Sequence, residues 1–171
     1  TFQNIRLFKN LSVLDNVLIG IHGEKKPSLF NLFLRTSKFY QLEDEMREEA
    51  MTLLEIFDLH KVHANKAGNL PYGDQRKLEI VRALATNPKL LFLDEPAAGM
   101  NASESRDLVR LINQIHENYD IAIVLIEHDM NVIMNIAERI YVLEYGRKIA
   151  EGTPKEIQQN DRVIRAYLGG D

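Results

Sequence analysis

One short stretch constrains the fold more than any other: residues 90–93 are all apolar, and Asp94, Glu95 and Pro96 follow them directly. An uninterrupted apolar run of this length is typical of a strand that is buried on both faces of a parallel sheet. Open α/β sheets bind ligands beyond the carboxyl ends of their strands, so the two acids lie where Asp94 could hold Mg²⁺ and Glu95 could polarise a water molecule. From these residues alone, the alternative is a core strand that ends in a solvated Asp–Glu pair.

The first part of the chain is predicted to be all-helical. Ser12 is placed to cap a helix that runs to about His22, with Gly20 and Gly23 contributing to its end. A short apolar segment follows at residues 29–34, and a longer helix is predicted from about residue 39 to residue 59. In that longer helix the apolar residues recur at helical spacing, at Leu42, Met46, Ala50, Leu53, Leu54 and Phe57. The charged residues occupy its other face, which we interpret as a solvated surface.

The remainder of the chain alternates between helices and strands. Asp74 is predicted to open a helix that ends before Pro88, and Asn101 with Glu104 is predicted to form a capping box for the helix after the first strand. Further strands are predicted at residues 121–126, 139–144 and 148–150, with a short helix at 130–137 and closing helices from residue 153 onward. Strands that alternate with helices indicate a parallel, three-layer α/β unit.

Composition argues against several classes of function. The formal net charge of −4 disfavours a nucleic-acid-binding surface. The absence of cysteine excludes disulfides, thiolate zinc sites and iron–sulfur clusters. No apolar run reaches the roughly 18 residues that a membrane-spanning helix needs. The chain begins at Thr1 without a methionine, and we expect it to be a piece of a longer protein.

Four short motifs occur in a characteristic order. The stretch 70–76, Leu-Pro-Tyr-Gly-Asp-Gln-Arg, precedes the strand that ends in Asp94 and Glu95, and His128 ends the next strand. In this order the motifs resemble those of the nucleotide-binding subunits of ABC transporters, whose signature loop reads LSGGQ and is followed by a Walker B strand and a switch histidine. Gln3 falls where that family has its Q-loop. Stretches around 67–80, 94–101 and 163–169 look like the ATP-binding subunits of branched-chain amino acid importers.

The resemblance implies a role for each residue that matches a motif. Asp94 would bind Mg²⁺, and Glu95 would polarise the water that attacks ATP. His128 would contact the γ-phosphate, and Gln3 would sense both Mg²⁺ and the attacking water. The assignment of Gln3 rests wholly on the resemblance, whereas the roles of Asp94 and Glu95 also agree with their position at the end of a predicted strand.

The resemblance also implies that two loops face a partner subunit. The signature loop would meet the ATP held by the partner, and it comprises Leu70, Pro71, Tyr72, Gly73, Asp74 and Gln75. The D-loop, residues 97–101, would cross toward the partner and includes Ala98 and Gly99. The signature loop departs from the family pattern, because Pro71 stands where many relatives have serine and Asp74 stands where glutamine is common.

The fold implied by the resemblance is α/β, a partial P-loop NTPase-like three-layer parallel sheet with an all-helical ABC subdomain. We expect residues 1–73 to form the Q-loop and the helical subdomain, and residues 74–171 to form the C-terminal part of the RecA-like core. No G-x-x-x-x-G-K-[ST] motif occurs in the 171 residues, so we expect the P-loop to lie upstream of them.

Two hypotheses about function remain open at this point. In the first, the parent protein is an ABC ATPase that uses ATP and Mg²⁺ to power branched-chain amino acid import, or another ABC system such as lipopolysaccharide export. It would pair with a second ATP-binding subunit, as a homo- or heterodimer, and its helical subdomain would dock on transmembrane permease subunits at the cytoplasmic face of the inner membrane. A solute-binding protein would be an indirect partner. In the second hypothesis, the 171-residue chain is an inactive docking or dimerisation module.

Overall fold

The computed structural model describes residues 7–24 and 37–168, so the predictions for Gln3 and for the segment 29–34 lie outside the described residues. The helices are α1 (Val13–Glu24), α2 (Ser37–Ile56), α3 (Tyr72–Leu84), α4 (Ala102–Asn118), α5 (Met130–Ile136), α6 (Pro154–Gln158) and α7 (Asp161–Val163), followed by a π-helical segment (Ile164–Leu168). The strands are β1 (Leu90–Asp94), β2 (Ala122–Ile126), β3 (Ile140–Glu144) and β4 (Arg147–Gly152). Short 3₁₀ helices at His60–Val62 and Ala67–Asn69 lie between α2 and α3. None of the helices in these ranges has the length and apolarity that crossing a membrane requires.

Local hydrogen bonds explain why α1 begins where the sequence predicts. Ser12 Oγ accepts a hydrogen bond from the amide of Asp15 at 3.0 Å, and the Ser12 hydroxyl donates to the Asp15 carboxylate at 2.6 Å. The buried side chain of Asn16 donates to the carbonyls of Phe8 and Ser12 at 3.1 and 2.9 Å. These bonds fasten the preceding turn to the first turn of the helix.

Gly20 lies inside α1 and permits a close contact with α3. A Cβ atom at this position would lie 2.6 Å from the carbonyl oxygen of Arg82 and 2.8 Å from the Cβ of Ala85. Such distances are shorter than non-bonded atoms tolerate, so a side chain here would force the two helices apart. The prediction that Gly20 helps to end the helix is wrong, because α1 continues to Glu24 and the glycine serves helix packing instead.

Among the described residues, the larger apolar cluster joins the N-terminal helices to the first strand and to α4. Its buried members lie at the positions that helical periodicity predicts, and they include Val13, Val17, Ile21, Met46, Ala50, Leu53, Leu54, Phe57, Leu78, Val81, Leu84, Leu108, Leu111, Ile112 and Ile115. α3 begins at Tyr72, next to the boundary predicted after residue 73, and its buried apolar residues belong to this cluster.

The first strand is buried on one face, whereas its apolar run predicted burial on both. β1 pairs with β2 in parallel, with Leu90 opposite Ala122 and Asp94 opposite Ile126. Leu93 is 8% exposed on the inner face, but Leu90 is 44% exposed and Phe92 is 60% exposed on the outer face. Among residues 7–24 and 37–168, no element covers that outer face, so alternate residues of the run remain in contact with solvent.

The third and fourth strands form an antiparallel hairpin and not a continuation of the parallel sheet. Tyr145 and Gly146 connect them, and both residues have positive φ, at 47° and 75°. A two-residue turn of this kind joins antiparallel strands, because parallel strands need a longer crossover connection. The hairpin packs against the closing helices through a second cluster, and Tyr167 donates a hydrogen bond to the carbonyl of Leu143 at 2.6 Å.

Glu151 is the acceptor in an ionic network on the hairpin surface. Its carboxylate accepts hydrogen bonds from Lys148 Nζ at 2.6 Å and from Arg139 Nε at 2.9 Å. These two cations, Lys148 first, lower the pKa of Glu151 from 4.5 to about 2. The carboxylate is therefore charged over the whole physiological range.

We predict that the two faces of β1 respond differently to the same substitution. Leu93→Ala should lower the free energy of unfolding by about 2–5 kcal/mol, because it removes a buried side chain and leaves a cavity. Leu90→Ala, the matched control on the exposed face of the same strand, should cost less than about 1 kcal/mol. Urea denaturation followed by circular dichroism measures both, and equal losses would contradict the one-sided burial.

A second prediction concerns acid stability. The pKa of Glu151 is lowered on folding, so its contribution to stability is present above pH 4.5 and is lost as pH falls toward 2. The difference in urea midpoint between the unsubstituted chain and Glu151→Gln should be largest above pH 5, shrink at lower pH, and weaken with salt because the group is exposed. Glu117→Gln, at an exposed glutamate of α4, is the control. A difference that is constant from pH 7 to pH 3 would contradict the assignment.

Candidate functional site

Glu95 and His128 meet at the carboxyl ends of the two parallel strands. Asp94 closes β1 opposite Ile126, and the amide of Glu95 donates to the carbonyl of Ile126 at 2.8 Å. His128 Nδ1 lies 3.3 Å from Glu95 Oε1, with the histidine side chain 72% exposed. The structure therefore brings a carboxylate and an imidazole together at the edge where the sequence placed the site.

The backbone of Glu95 adopts an uncommon conformation. Its φ of 46° lies in the left-handed region, which costs a non-glycine residue about 1–3 kcal/mol when the surrounding structure imposes it. The turn that follows is closed by a hydrogen bond from the amide of Ala98 to the carbonyl of Glu95 at 3.1 Å. This geometry ends the strand sharply and leaves the Glu95 side chain half-buried beside His128.

Glu127 holds the same turn from the neighbouring strand end. Its Oε1 accepts a hydrogen bond from the amide of Ala97 at 2.9 Å, across 30 residues of sequence. This bond ties the segment after Glu95 to the segment that carries His128. No local sequence pattern signals a contact of this range.

The predicted signature loop forms the start of α3. The helix begins at Tyr72, not at Asp74 as predicted, because the carbonyl of Pro71 already accepts from the amide of Gln75 at 3.0 Å. Gln75 Nε2 also donates to the carbonyl of Leu70 at 2.8 Å, which holds the loop against the helix. Pro71 is the N-cap residue and makes no side-chain cap, so the amides of the first turn remain oriented outward.

Asp74 lies in the first turn of α3 and is not its cap. A carboxylate there interacts favourably with the helix dipole. It also lies 3.5 Å from Lys77 Nζ, which partly neutralises its charge. The negative charge that the sequence placed at this helix end is thus shared with a neighbouring cation.

The predicted D-loop packs against the signature loop within the same chain. A Cβ atom on Gly99 would lie 3.3 Å from Cε1 of the Tyr72 ring, and Gly99 itself has a φ of 78°. A Cβ atom on Gly73 would lie 3.2 Å from a carboxylate oxygen of Glu104. Glu104 belongs to the predicted capping box, which is confirmed, since its carboxylate accepts from the amide of Asn101 at 2.9 Å.

Asp94 borders an apolar cavity of about 650 Å³ between α1, α3 and β1. Its apolar lining includes Ile19, Ile80, Leu91 and Phe92. Residues from both faces of β1 line the cavity, Leu91 and Leu93 from the inner face and Phe92 from the outer face. Asp94 lies on its border, next to Glu95 in the chain.

The residues present suit Mg²⁺ only in combination with other oxygen ligands. Within residues 7–24 and 37–168, no group of three His, Cys, Asp or Glu side chains is arranged to hold a metal ion. Mg²⁺ is commonly held by one or two carboxylates together with phosphates and water. The carboxylate of Asp94 fits that mode of binding, in which the phosphates of a nucleotide supply the remaining ligands.

Two known protein families match parts of the chain. A family described as "ABC transporter" matches residues 1–98, and a family described as "Branched-chain amino acid ATP-binding cassette transporter" matches residues 147–171. These matches confirm the family that the four motifs suggested.

Curated relatives agree with the family matches. The chain is 47% identical over 170 residues to the high-affinity branched-chain amino acid transport ATP-binding protein LivG of Salmonella typhimurium, covering 99% of this chain and 66% of that protein. It is 33% identical over 170 residues to the lipopolysaccharide export system ATP-binding protein LptB of Escherichia coli, covering 99% of this chain and 64% of that protein. The chain thus spans about two thirds of the length of these relatives.

Solved structures confirm the fold class. The ADP conformation of an ATP-binding cassette of an ABC transporter matches with a TM-score of 0.75 and 32% identity, over 95% of this chain and 64% of that one. A dimeric post-hydrolysis state of another ATP-binding cassette, bound to ADP and Pi, matches with a TM-score of 0.71 and 25% identity, over 90% of this chain and 61% of that one. The architecture is that of the P-loop NTPase fold found in these cassettes.

We predict that Glu127 protects the amide of Ala97. Glu127→Leu removes the acceptor and should raise hydrogen exchange at that amide about tenfold, whereas Glu127→Gln retains a carbonyl acceptor and should raise it less. The amide of Tyr119, which bonds to Ile115 in α4, is the internal control. An equal increase at both amides would indicate general destabilisation and would contradict a specific role for Glu127.

Proposed function

The chain belongs to the ABC transporter family of ATP-binding proteins, and on this basis we propose that its parent protein is the ATP-hydrolysing subunit of an importer of branched-chain amino acids. The observation that carries the proposal is the meeting of Glu95 and His128, 3.3 Å apart, beside Asp94 at the ends of two parallel strands. At the carboxyl ends of parallel strands, a carboxylate can position a water molecule for attack on a phosphate, and an imidazole beside it can contact a phosphate oxygen.

Each side chain of the site takes a separate role in this proposal. Asp94 would hold Mg²⁺ together with the phosphates, and the ion would supply positive charge that stabilises the negative charge of the transition state. Glu95, held by its left-handed backbone, would orient the water and accept its proton. His128 could donate from one nitrogen to Glu95 and, when protonated, from the other to a phosphate oxygen.

The signature loop would act on the nucleotide of a partner subunit. The outward-facing amides at Tyr72, Gly73 and Asp74 form a helix N-terminus without a side-chain cap, which suits an anion. The Pro71 side chain offers no hydroxyl, so the phosphate of the nucleotide would be bound by these backbone amides. Gln3 keeps its proposed role as the sensor of Mg²⁺ and water, and Ala98 and Gly99 keep theirs in the D-loop.

The partners follow from the same proposal. A second ATP-binding subunit would complete each site, transmembrane permease subunits would contact the helical subdomain, and a solute-binding protein would deliver the solute. We place the protein at the cytoplasmic face of the inner membrane. The proposed solute class rests on the 47% identity to LivG, which exceeds the 33% identity to LptB.

We predict that Glu95→Gln in the complete subunit, assembled with its permease, lowers ATP turnover by about 100- to 10,000-fold, because the amide cannot accept the proton of the water. Binding of ATP should persist, since the amide keeps the size of the side chain. Steady-state hydrolysis and equilibrium nucleotide binding measure the two effects, with Glu117→Gln as the control. Undiminished hydrolysis would overturn the role of Glu95.

A complete subunit that hydrolyses no ATP but still binds the permease would instead favour the docking module. That alternative needs no nucleotide chemistry from the chain. ATP hydrolysis therefore separates the two functions, because both require binding to the permease and only the transport ATPase also hydrolyses ATP.

A further inference from the structure

One tyrosine links the two loops that are proposed to face the partner subunit. The Tyr72 ring lies at the start of α3 and approaches Gly99, where a Cβ atom would stand 3.3 Å from ring atom Cε1. Gly99 follows Glu95 within a tight turn, which is closed by bonds from Ala98 to Glu95 at 3.1 Å and from Met100 to Ala97 at 3.1 Å. A displacement of the ring would therefore change the packing of the turn that begins at Glu95.

Arg76 holds the tyrosine ring in place. Its Nε donates to the Tyr72 hydroxyl at 3.1 Å, and its guanidinium carbon lies 5.4 Å from the ring centroid. Arg76 is only 5% exposed and forms an ion pair with Glu79 at 3.2 Å. A buried, paired guanidinium has little freedom to move, so it fixes the position of the ring that it contacts.

The residue types on both sides suit this contact. Tyr72 stands at the first glycine position of the LSGGQ pattern, and a glycine there has no side chain to reach the D-loop. On the other side, Gly99 has a φ of 78°, where a side chain would be strained, and the ring occupies the space next to it. A Cβ atom on Gly73 would lie 3.2 Å from the carboxylate of Glu104, so the start of α3 also lies close to the first turn of α4, which follows the D-loop.

We propose that Tyr72 is a positioning residue that couples the signature loop, residues 70–75, to the D-loop, residues 97–101, so that the two loops are ordered together. The consequence for catalysis rests on the proposed function. The signature loop would contact the nucleotide of the partner, and the D-loop leads directly from Glu95. Occupation of the partner's site would then reach this subunit's own Glu95 through Tyr72.

Hydrogen exchange on the 171-residue chain tests the contact without any nucleotide. Tyr72→Ala should raise exchange at the amides of Ala98 and Met100 about fivefold or more, because the ring no longer supports the turn. Tyr72→Phe keeps the ring, and it should raise exchange at these amides less than about twofold. The amide of Ile157 in the second apolar cluster is the control for general stability.

The complete subunit tests the consequence. In a Glu95→Gln background, addition of ATP and Mg²⁺ should slow exchange in both loops. With Tyr72→Ala added, protection of residues 70–75 should remain while protection of residues 97–101 falls about fivefold or more. Unequal loss in the two loops is a result that simple destabilisation would not produce.

The outcomes separate the two proposals. Unchanged exchange at Ala98 and Met100 in Tyr72→Ala, or an equal rise at Ile157, would overturn the coupling. Equal ATP-induced protection of both loops with and without the tyrosine would overturn its catalytic consequence. If ATP protects neither loop in the presence of Tyr72, the proposed function fails, and the nucleotide-free exchange still decides whether the contact supports the turn.

Discussion

The parallel pairing of β1 with β2 is the constraint on which the candidate site depends. Because the two strands run in the same direction, the chain leaves both of them at one edge of the sheet. The pairing extends one residue beyond β1 through the bond from the Glu95 amide to the Ile126 carbonyl at 2.8 Å. The positive φ of Glu95 then turns the chain, while Glu127 accepts from Ala97 and His128 reaches Glu95. The strand register thus sets the separation of Glu95 and His128.

Structural features that depend on residues close together in the sequence could be predicted from the sequence. The caps at Ser12 and at Asn101 with Glu104 are confirmed, because each cap is a contact between residues three apart. The buried face of α2 follows from helical periodicity in the same way. Glu95 and His128 could be paired only because each residue ends a strand in a recognisable motif. Their contact is a consequence of the parallel sheet that the motifs imply.

The remaining features depend on contacts that no local pattern encodes. The bond between Glu127 and Ala97 spans 30 residues and joins the segments that follow β1 and β2. Apolarity alone did not determine how many faces of β1 are covered. Phe92 is as apolar as its buried neighbours and is 60% exposed, because burial requires a second packed layer as well as an apolar side chain.

The departures of the signature loop from LSGGQ have related structural consequences. Pro71 removes a hydroxyl but still serves as an N-cap residue whose carbonyl starts the helix. Asp74 adds a charge, which Lys77 partly offsets at 3.5 Å. Tyr72 places an aromatic ring where LSGGQ has a glycine. Arg76 donates a hydrogen bond to the hydroxyl of this ring, and Gly99 leaves space beside it. A loop with two glycines would face its ligand with more backbone freedom, whereas this loop is held by its own D-loop. If this loop binds the nucleotide of the partner subunit as proposed, part of the required order would already be present before binding, and the entropic cost of closing the site would be lower.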